Sequence, residues 1–401
     1  MDLTRRTLLS GVALAPQIHA SPAAWDSLWK EFPLQKGLLY MNAANIAPAP
    51  TSVWREYQRQ LADFQVNPAF QNREQYKALA ETVRSRAARY VGADLEEIAI
   101  TRNTSEGSNL IAQGVRLKSG DEVVITSHNH PSNGESWKLR AQQAGASVVT
   151  VPTPVGARSS SELVDAIAQR VTAKTRVIAV SHFTNVTGLL FPVRELAELA
   201  KQRGAWFHVD GAQSFGWLKL DLHALGMDSF TGSMHKWAMG PLESGILYVK
   251  RERLEEVSPA ILSHDYWADH PSGIRKFELL GQRDDARLKG MEKTFDFLEG
   301  LGSSAVEART REIAFKLRAS LDKVAGVEVR GSGEKQVSGP VMMVNFPGKD
   351  LKKLYDALWD RYKLAVAVTP AGDARGIRFS PHVYNTAADI DKVVGALRET
   401  L

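Results

Sequence analysis

No cysteine occurs anywhere in the 401-residue chain. Disulfides, thiolate metal sites and a cysteine nucleophile are thereby excluded. Ten histidines are present, but no His-x-x-x-His or comparable spacing joins them, so no metal is expected. Also missing are an apolar run long enough to span a bilayer and any repeat or low-complexity tract. Charge is not clustered either: 50 basic residues are interleaved with 45 acidic ones for a net +5. A phosphate-binding face needs its cations grouped, so nucleic acid is not an expected partner, and a mild attraction for anionic ligands is all the balance implies. What is present is a chain 44% apolar, long enough to bury a large core, for which a compact enzyme is the default expectation.

Residues 1–20 carry the pair Arg5-Arg6, then a short apolar run ending in Ala20. This looks like a twin-arginine export signal cleaved after Ala20. The competing reading is an amphipathic first helix with a chance Arg pair; Ile18 at the −3 position and Asp2 in the charged region fit a signal poorly. An export signal implies passage through the twin-arginine translocase in folded form and a periplasmic protein without stable membrane insertion.

Further along, short apolar runs alternate with helical patterns. Strands are expected at 98–101, 123–127, 147–152, 177–181, 206–210, 230–233 and 246–249, with helices such as 161–171 and 193–203 between them. Such alternation argues for an α/β fold whose mainly parallel sheet is flanked by helices on both faces. A long helical region, 284–324, leads into strands at 327–330, 342–346, 364–368 and 377–380 with helices at 351–361 and 387–400, as in a small α+β domain. The expected organisation is a signal over 1–20, an N-terminal segment over 21–60 packing with the small domain, a large domain over 61–285 and the small C-terminal domain over 286–401. The site is expected between the two domains.

The chemistry concentrates in His208-Val-Asp210-Gly-Ala-Gln213 and Ser233-Met-His235-Lys236, the lysine 26 positions beyond the aspartate. Each segment reads as a strand ending in a reactive group, and in open α/β sheets ligands bind at the carboxyl ends of strands. A carboxylate beside a pyridine nitrogen keeps that ring protonated, and a lysine amine can carry the ring's aldehyde as a Schiff base. The pair therefore points to pyridoxal 5'-phosphate. Singly, Asp210 would be a turn residue and Lys236 a surface cation.

Other segments supply what such a cofactor needs. Thr104 and Ser105 open a helix after a strand, where free amides and hydroxyls form an anion site; an ordinary cap is the plainer reading. Ser233 and His235 leave the same strand end as Lys236 and add donors. In Ser127-His128-Asn-His130-Pro an imidazole, His130 by preference, can stack on the ring and move protons, against the alternative of an exposed turn. Asn185 and Gln213 can reach the ring's phenolic oxygen. Arg378 offers a two-pronged grip on a substrate carboxylate, which fixes the α-bond that lies perpendicular to the ring.

Together these residues resemble the class V aminotransferase superfamily of fold-type I pyridoxal-phosphate enzymes, which includes cysteine desulfurases, selenocysteine lyases, kynureninase and isopenicillin N epimerases. The motifs are Tyr40-Met-Asn42, Thr101-Arg-Asn-Thr-Ser-Glu-Gly, His130-Pro-Ser-Asn, His182-Phe-Thr-Asn185, Val209-Asp-Gly-Ala-Gln213, Ser233-Met-His-Lys236 and Arg378-Phe-Ser-Pro-His-Val-Tyr-Asn. The resemblance implies Lys236 as cofactor lysine, Asp210 at the ring nitrogen, His130 stacked on the ring, Gln213 and Asn185 beside it, Thr104, Ser105, Ser233 and His235 at the phosphate, and Arg378 with Asn42 at the substrate. It also implies a homodimer. Gln282 stands where many relatives have a Thr that reaches the neighbouring subunit's phosphate; either it substitutes for that Thr or the contact is lost. Glu243 stands where a Gly is common and adds a charge near the site. The missing cysteine rules out the enzyme-borne persulfide of a cysteine desulfurase.

The expected protein is an exported enzyme acting at the α-carbon of an amino acid or a peptide-borne amino group, by transamination or epimerisation, in tailoring a secreted metabolite such as a siderophore. Rivals are a C–S or C–Se lyase needing no enzyme cysteine, and a non-catalytic binding protein that keeps the cofactor fold.

Overall fold

The computed structural model describes residues 22–263, 273–369 and 375–401; the expected signal lies outside them. The chain enters through β1 (Leu39–Tyr40) and then builds a seven-stranded sheet from β2 (Ile98–Thr101), β3 (Glu122–Thr126), β4 (Ser147–Val151), β5 (Thr175–Ser181), β6 (Trp206–Asp210), β7 (Ser229–Ser233) and β8 (Gly245–Val249). Its order is β2-β8-β7-β6-β5-β3-β4. Only β8 runs against its neighbours. The carboxyl ends of the other six strands therefore meet at one edge.

Both faces of this sheet are covered over β2, β8, β7 and β6, which is why these strands are buried at every position. The period-2 alternation divides each strand between two cores. Phe207 and Val209 of β6 join one core with Ile178, Val180 and Phe230, while Trp206 joins the other with Val123, Ala179 and Leu247. Asp210 shares parity with Trp206, so it rises on the face covered by the helices Thr104–Gly114 and Pro131–Ala144, which supply Leu110, Ile111, Trp137 and Ala141. Gly107 lets the first of these helices lie close to the sheet, since a Cβ there would come 2.5 Å from Thr231 Cγ2.

The C-terminal body is a four-stranded antiparallel sheet, in which β9 (Glu328–Arg330), β10 (Met342–Asn345), β12 (Ala367–Thr369) and β13 (Gly376–Phe379) lie in the order β12-β13-β10-β9. The helices Leu351–Tyr362 and Ala387–Thr400 pack on it around Leu354, Leu358, Ile390 and Val393. The second helix begins with a capping box of Thr386 and Asp389, a feature whose cap residue is worth about 1 kcal/mol.

Three expectations are corrected. The single helix over 284–324 is two helices, Arg287–Leu301 and Ser303–Leu321, because Gly302 sits at φ 82 between them and ends the first. The expected strand 364–368 is also two. Leu364–Ala365, β11, pairs in parallel with β1, and only Ala367–Thr369 joins the four-stranded sheet. The boundary at 286 falls too early, since Leu288, Met291, Phe295 and Leu298 of Arg287–Leu301 are buried in the larger core, and Ile313 is the first residue after them to join the smaller one. That helix packs on Thr51–Val66, so the later part of the expected N-terminal segment reaches the large body, while 39–42 pairs with the small one.

Candidate active site

At the shared strand edge the structure gathers nearly all of the expected residues. Asp210, 2% exposed, ends β6 and accepts one hydrogen bond, from Ala212 N to Oδ1 at 2.9 Å. Burial pushes its carboxyl above the usual range, and the Ala212 amide, Lys236 and His130 pull the other way. Lys236 lies in the turn after β7, its amine without a hydrogen bond or ion pair among the described residues. Burial lowers its pKa, Asp210 opposes that, and Arg378 adds to it. A neutral amine is the nucleophilic form.

His130 caps the helix Pro131–Ala144. Its Nδ1 accepts from Ser132 N at 3.2 Å and lies 2.7 Å from Ser132 Oγ. This fixes the ring's direction and, in the neutral ring, leaves the proton on Nε2. Burial lowers its pKa, while Asp210 raises it and Lys236 and Arg378 lower it. Asp210 and Lys236 leave the ends of the paired strands β6 and β7, and the charges of Asp210, Lys236 and Arg378 all act on the His130 ring.

The anion end is equally built. Asn103 caps the helix Thr104–Gly114 by accepting from Glu106 N at 3.0 Å. Ser233 Oγ binds both Thr104 N and Thr104 Oγ1 at 2.8 Å, tying the helix N-terminus to the end of β7, just before the turn that bears Lys236. Ser105 lines a cleft of about 500 Å³ with Arg102 and Glu243. Glu243 thus brings its charge to the same cleft, on a backbone at φ 53 that explains why glycine suits the position. Arg378, on β13, donates from Nη1 to Asn185 O at 3.1 Å and from Nη2 to Asn42 Oδ1 at 3.2 Å. Burial lowers its pKa to about 10.

Two expected residues are placed differently. Gln282 is not brought to the site within one chain; it is exposed, and its Oε1 accepts from Arg73 at 2.6 Å. Asn185 meets Arg378 through its main-chain carbonyl, not its side chain. Gln213 is more committed than expected: Nε2 donates to Ala44 O at 2.9 Å and Oε1 accepts from Trp237 Nε1 at 2.7 Å, leaving one N–H for a ligand. Sequence reasoning missed Asn133 and Ser181. Both are buried beside these residues, with side-chain polar atoms lacking partners among the described residues. The signal was there for Ser181, which pairs in register with Asp210. Elsewhere, Asp94, Glu97 and His223 bring ligand atoms within 4.8 Å of one another, a cluster no sequence spacing announced. Glu97 is already occupied by the Asp94 and Arg251 amides and the His223 ring.

Unpartnered buried atoms are costly and call for a ligand. Asn133, Ser181 Oγ, His235 Nδ1 and Arg378 Nε are such atoms around this space, next to a buried carboxylate, a free amine and a helix N-terminus. That donor set fits a phosphorylated, cationic heteroaromatic aldehyde, the chemistry of a fold-type I pyridoxal-phosphate enzyme. Residues 39–393 match the family model "Aminotransferase class-V", and the chain belongs to that family; its cofactor is pyridoxal 5'-phosphate. It is 31% identical over 392 residues to the isopenicillin N epimerase of Amycolatopsis lactamdurans, spanning 94% of this chain and 98% of that one. Among solved structures, the cysteine desulfurase CsdA of Escherichia coli superposes with a TM-score of 0.82 at 26% identity, over 94% of this chain and 98% of that one. The cystine C–S lyase C-DES gives 0.84 at 20% identity, over 92% and 99%, a likeness of fold.

The buried imidazoles carry a prediction about stability. Desolvation lowers His182 and His382 to about 4 and His208 to about 3, whereas in the unfolded chain each titrates near 6.5. Their contribution is complete above about pH 6.5 and is lost as pH falls toward about 4, because the unfolded state takes up protons first. The expected loss is about 1 kcal/mol per histidine per pH unit in that window. Denaturant midpoints of the cofactor-free protein at pH 7, 6 and 5 check this; equal midpoints would contradict it.

Proposed function

We propose that the chain acts at the α-carbon of an amino acid, or of an amino group carried by a peptide, as an epimerase or aminotransferase. The carrying observation is that Lys236 presents an unpartnered amine in the same space as Asp210 and the Arg378 guanidinium. The bound cofactor supplies an electron sink for the bond broken at that carbon. Asp210 would hold the charge at the ring nitrogen, Arg378 would fix the substrate carboxylate, and Lys236 and His130 would take and return the α-proton. Return of the proton to the opposite face of the α-carbon inverts the centre; amino transfer would require instead that the bound cofactor keep the amino group while water releases the oxo acid. Similarity to an isopenicillin N epimerase over 98% of that protein supports the reading.

Three further parts of the reading rest on sequence. Arg5-Arg6 and the following apolar run support export to the periplasm by the twin-arginine pathway. A periplasmic address favours work on a secreted metabolite, a siderophore for example. Exposed Leu242, Ile261 and Leu262 beside the Ser105 cleft support a homodimer in which Gln282 of one subunit approaches the other's phosphate.

The test is incubation of the cofactor-loaded protein with amino acids and small peptides in deuterated water, followed by mass and chiral analysis. Deuterium at the α-carbon with inversion marks epimerisation; an oxo acid with an aminated cofactor marks transamination. A second reading, a cysteine-independent C–S or C–Se lyase, is favoured by the desulfurase and C–S lyase likenesses and would release sulfide or selenide with an oxo acid. The absence of cysteine removes the acceptor for a persulfide on the enzyme, so desulfurase turnover by that route is not expected. No deuterium uptake and no change of the visible absorbance with any amine would leave only a binding protein.

A further inference from the structure

The turn that carries Lys236 is gripped from outside the large sheet. Its two flanking carbonyls are both taken: His235 O accepts from Ala47 N at 2.8 Å, and Trp237 O lies 2.8 Å from His382 Nε2. Ala47 belongs to the N-terminal segment and His382 follows β13 of the small body. Because a carbonyl only accepts, the neutral His382 ring carries its proton on Nε2, and Nδ1, buried without a partner among the described residues, is bare. The His382 ring is fully buried and packs against the Trp237 indole in T-shaped fashion, centroids 5.1 Å apart.

His382 is four residues from Arg378, and the chain between them is knitted to the N-terminal segment. Ser380 N donates to Met41 O at 2.8 Å, and Ala43 N donates to Ser380 O at 3.0 Å. A second route to the same tryptophan runs from there: Ala44 O accepts from Gln213 Nε2, whose Oε1 accepts from the Trp237 indole. Thus the stretch 378–385 reaches the residue beside Lys236 twice, once at its carbonyl and once at its ring.

We propose that His382 is a positioning residue that transmits the setting of Arg378 to Lys236 through the Trp237 carbonyl, so that seating a substrate carboxylate in the small body aligns the lysine for proton transfer. This rests on Lys236 carrying the cofactor. A displacement of about 1 Å at a reacting group costs about 100-fold in rate, and losing one hydrogen bond on the adjacent carbonyl is enough to allow it. Substrate binding itself stays with Arg378 and Asn42, so the effect falls on turnover.

The test uses cofactor-loaded wild type, His382→Ala and His382→Gln, the last placing an amide N–H near the same carbonyl. Two quantities are read: the pH midpoint of the cofactor's visible absorbance band, without substrate, and kcat and KM for α-proton exchange. In His382→Ala the midpoint is expected to move by roughly half a pH unit or more and kcat to fall about 10- to 100-fold, with KM changed less than about threefold; His382→Gln restores both. Should the alanine variant not fold, His382→Asn, whose amide falls short of the carbonyl, takes its place under the same criteria. An unmoved midpoint in a folded variant, a loss confined to KM, or a glutamine variant no better than alanine overturns the proposal. Wild type with no visible band overturns the assignment of Lys236 and this proposal with it.

Discussion

Replacing Lys236 by alanine is expected to lower α-proton exchange by about 10⁴-fold or more, since the side chain serves both as cofactor anchor and as proton carrier. The loss is chemical, not structural. The turn is held by main-chain carbonyls at 235 and 237, which the substitution leaves intact, and the lysine amine has no partner to abandon among the described residues. Thermal unfolding of the cofactor-free variant should match wild type within a few degrees, while reduction with borohydride no longer links the cofactor to the chain. Retention of more than about one tenth of the wild-type rate would show that another group does the work.

Asp210→Asn is expected to cost about 10²- to 10³-fold in turnover, the range for removing one preorganised electrostatic partner. Asparagine preserves volume and can still accept from Ala212 N, so the change isolates the charge opposite the ring nitrogen. Stability should move the other way. Burial raises the Asp210 carboxyl, which means that its ionised form burdens the fold at neutral pH, and the amide relieves that burden. The pair of measurements is therefore kcat against cofactor-free unfolding midpoint at pH 7. Full activity, or a midpoint well below wild type, would show that the carboxylate is a structural group.

Much of this was legible because the sheet is buried on both faces. The run 206–210 is apolar but for His208 until Asp210, and β6 ends there; β7 likewise stops at Ser233, three residues before Lys236. Where one residue's backbone decides, apolar patterning is silent. The periodicity of 284–324 continues straight through Gly302, whose left-handed φ breaks the helix. Residues 364–368 are an unbroken apolar run that reads as one strand, yet they change sheets at Val366. Long-range pairing was equally hidden: Trp237 and His382 meet across 145 positions, and no local pattern marks either as the other's partner. Glu243 stood out in sequence only as a charge where glycine is common; its backbone at φ 53 was visible only in the fold.

The pairing of β1 with β11 has a consequence for how the protein is made. Leu39 and Leu364 lie more than 300 positions apart, and Leu39 and Met41 are buried in the small core. On the ribosome the strand at 39–40 emerges early and must wait, unpaired and apolar, until almost the whole chain has been translated. Contacts of such sequence separation close slowly and leave nascent chains exposed to aggregation. The large sheet can assemble meanwhile, but the substrate arginine has no fixed place until the last strand arrives, so competence for catalysis should be acquired only after release of the finished polypeptide.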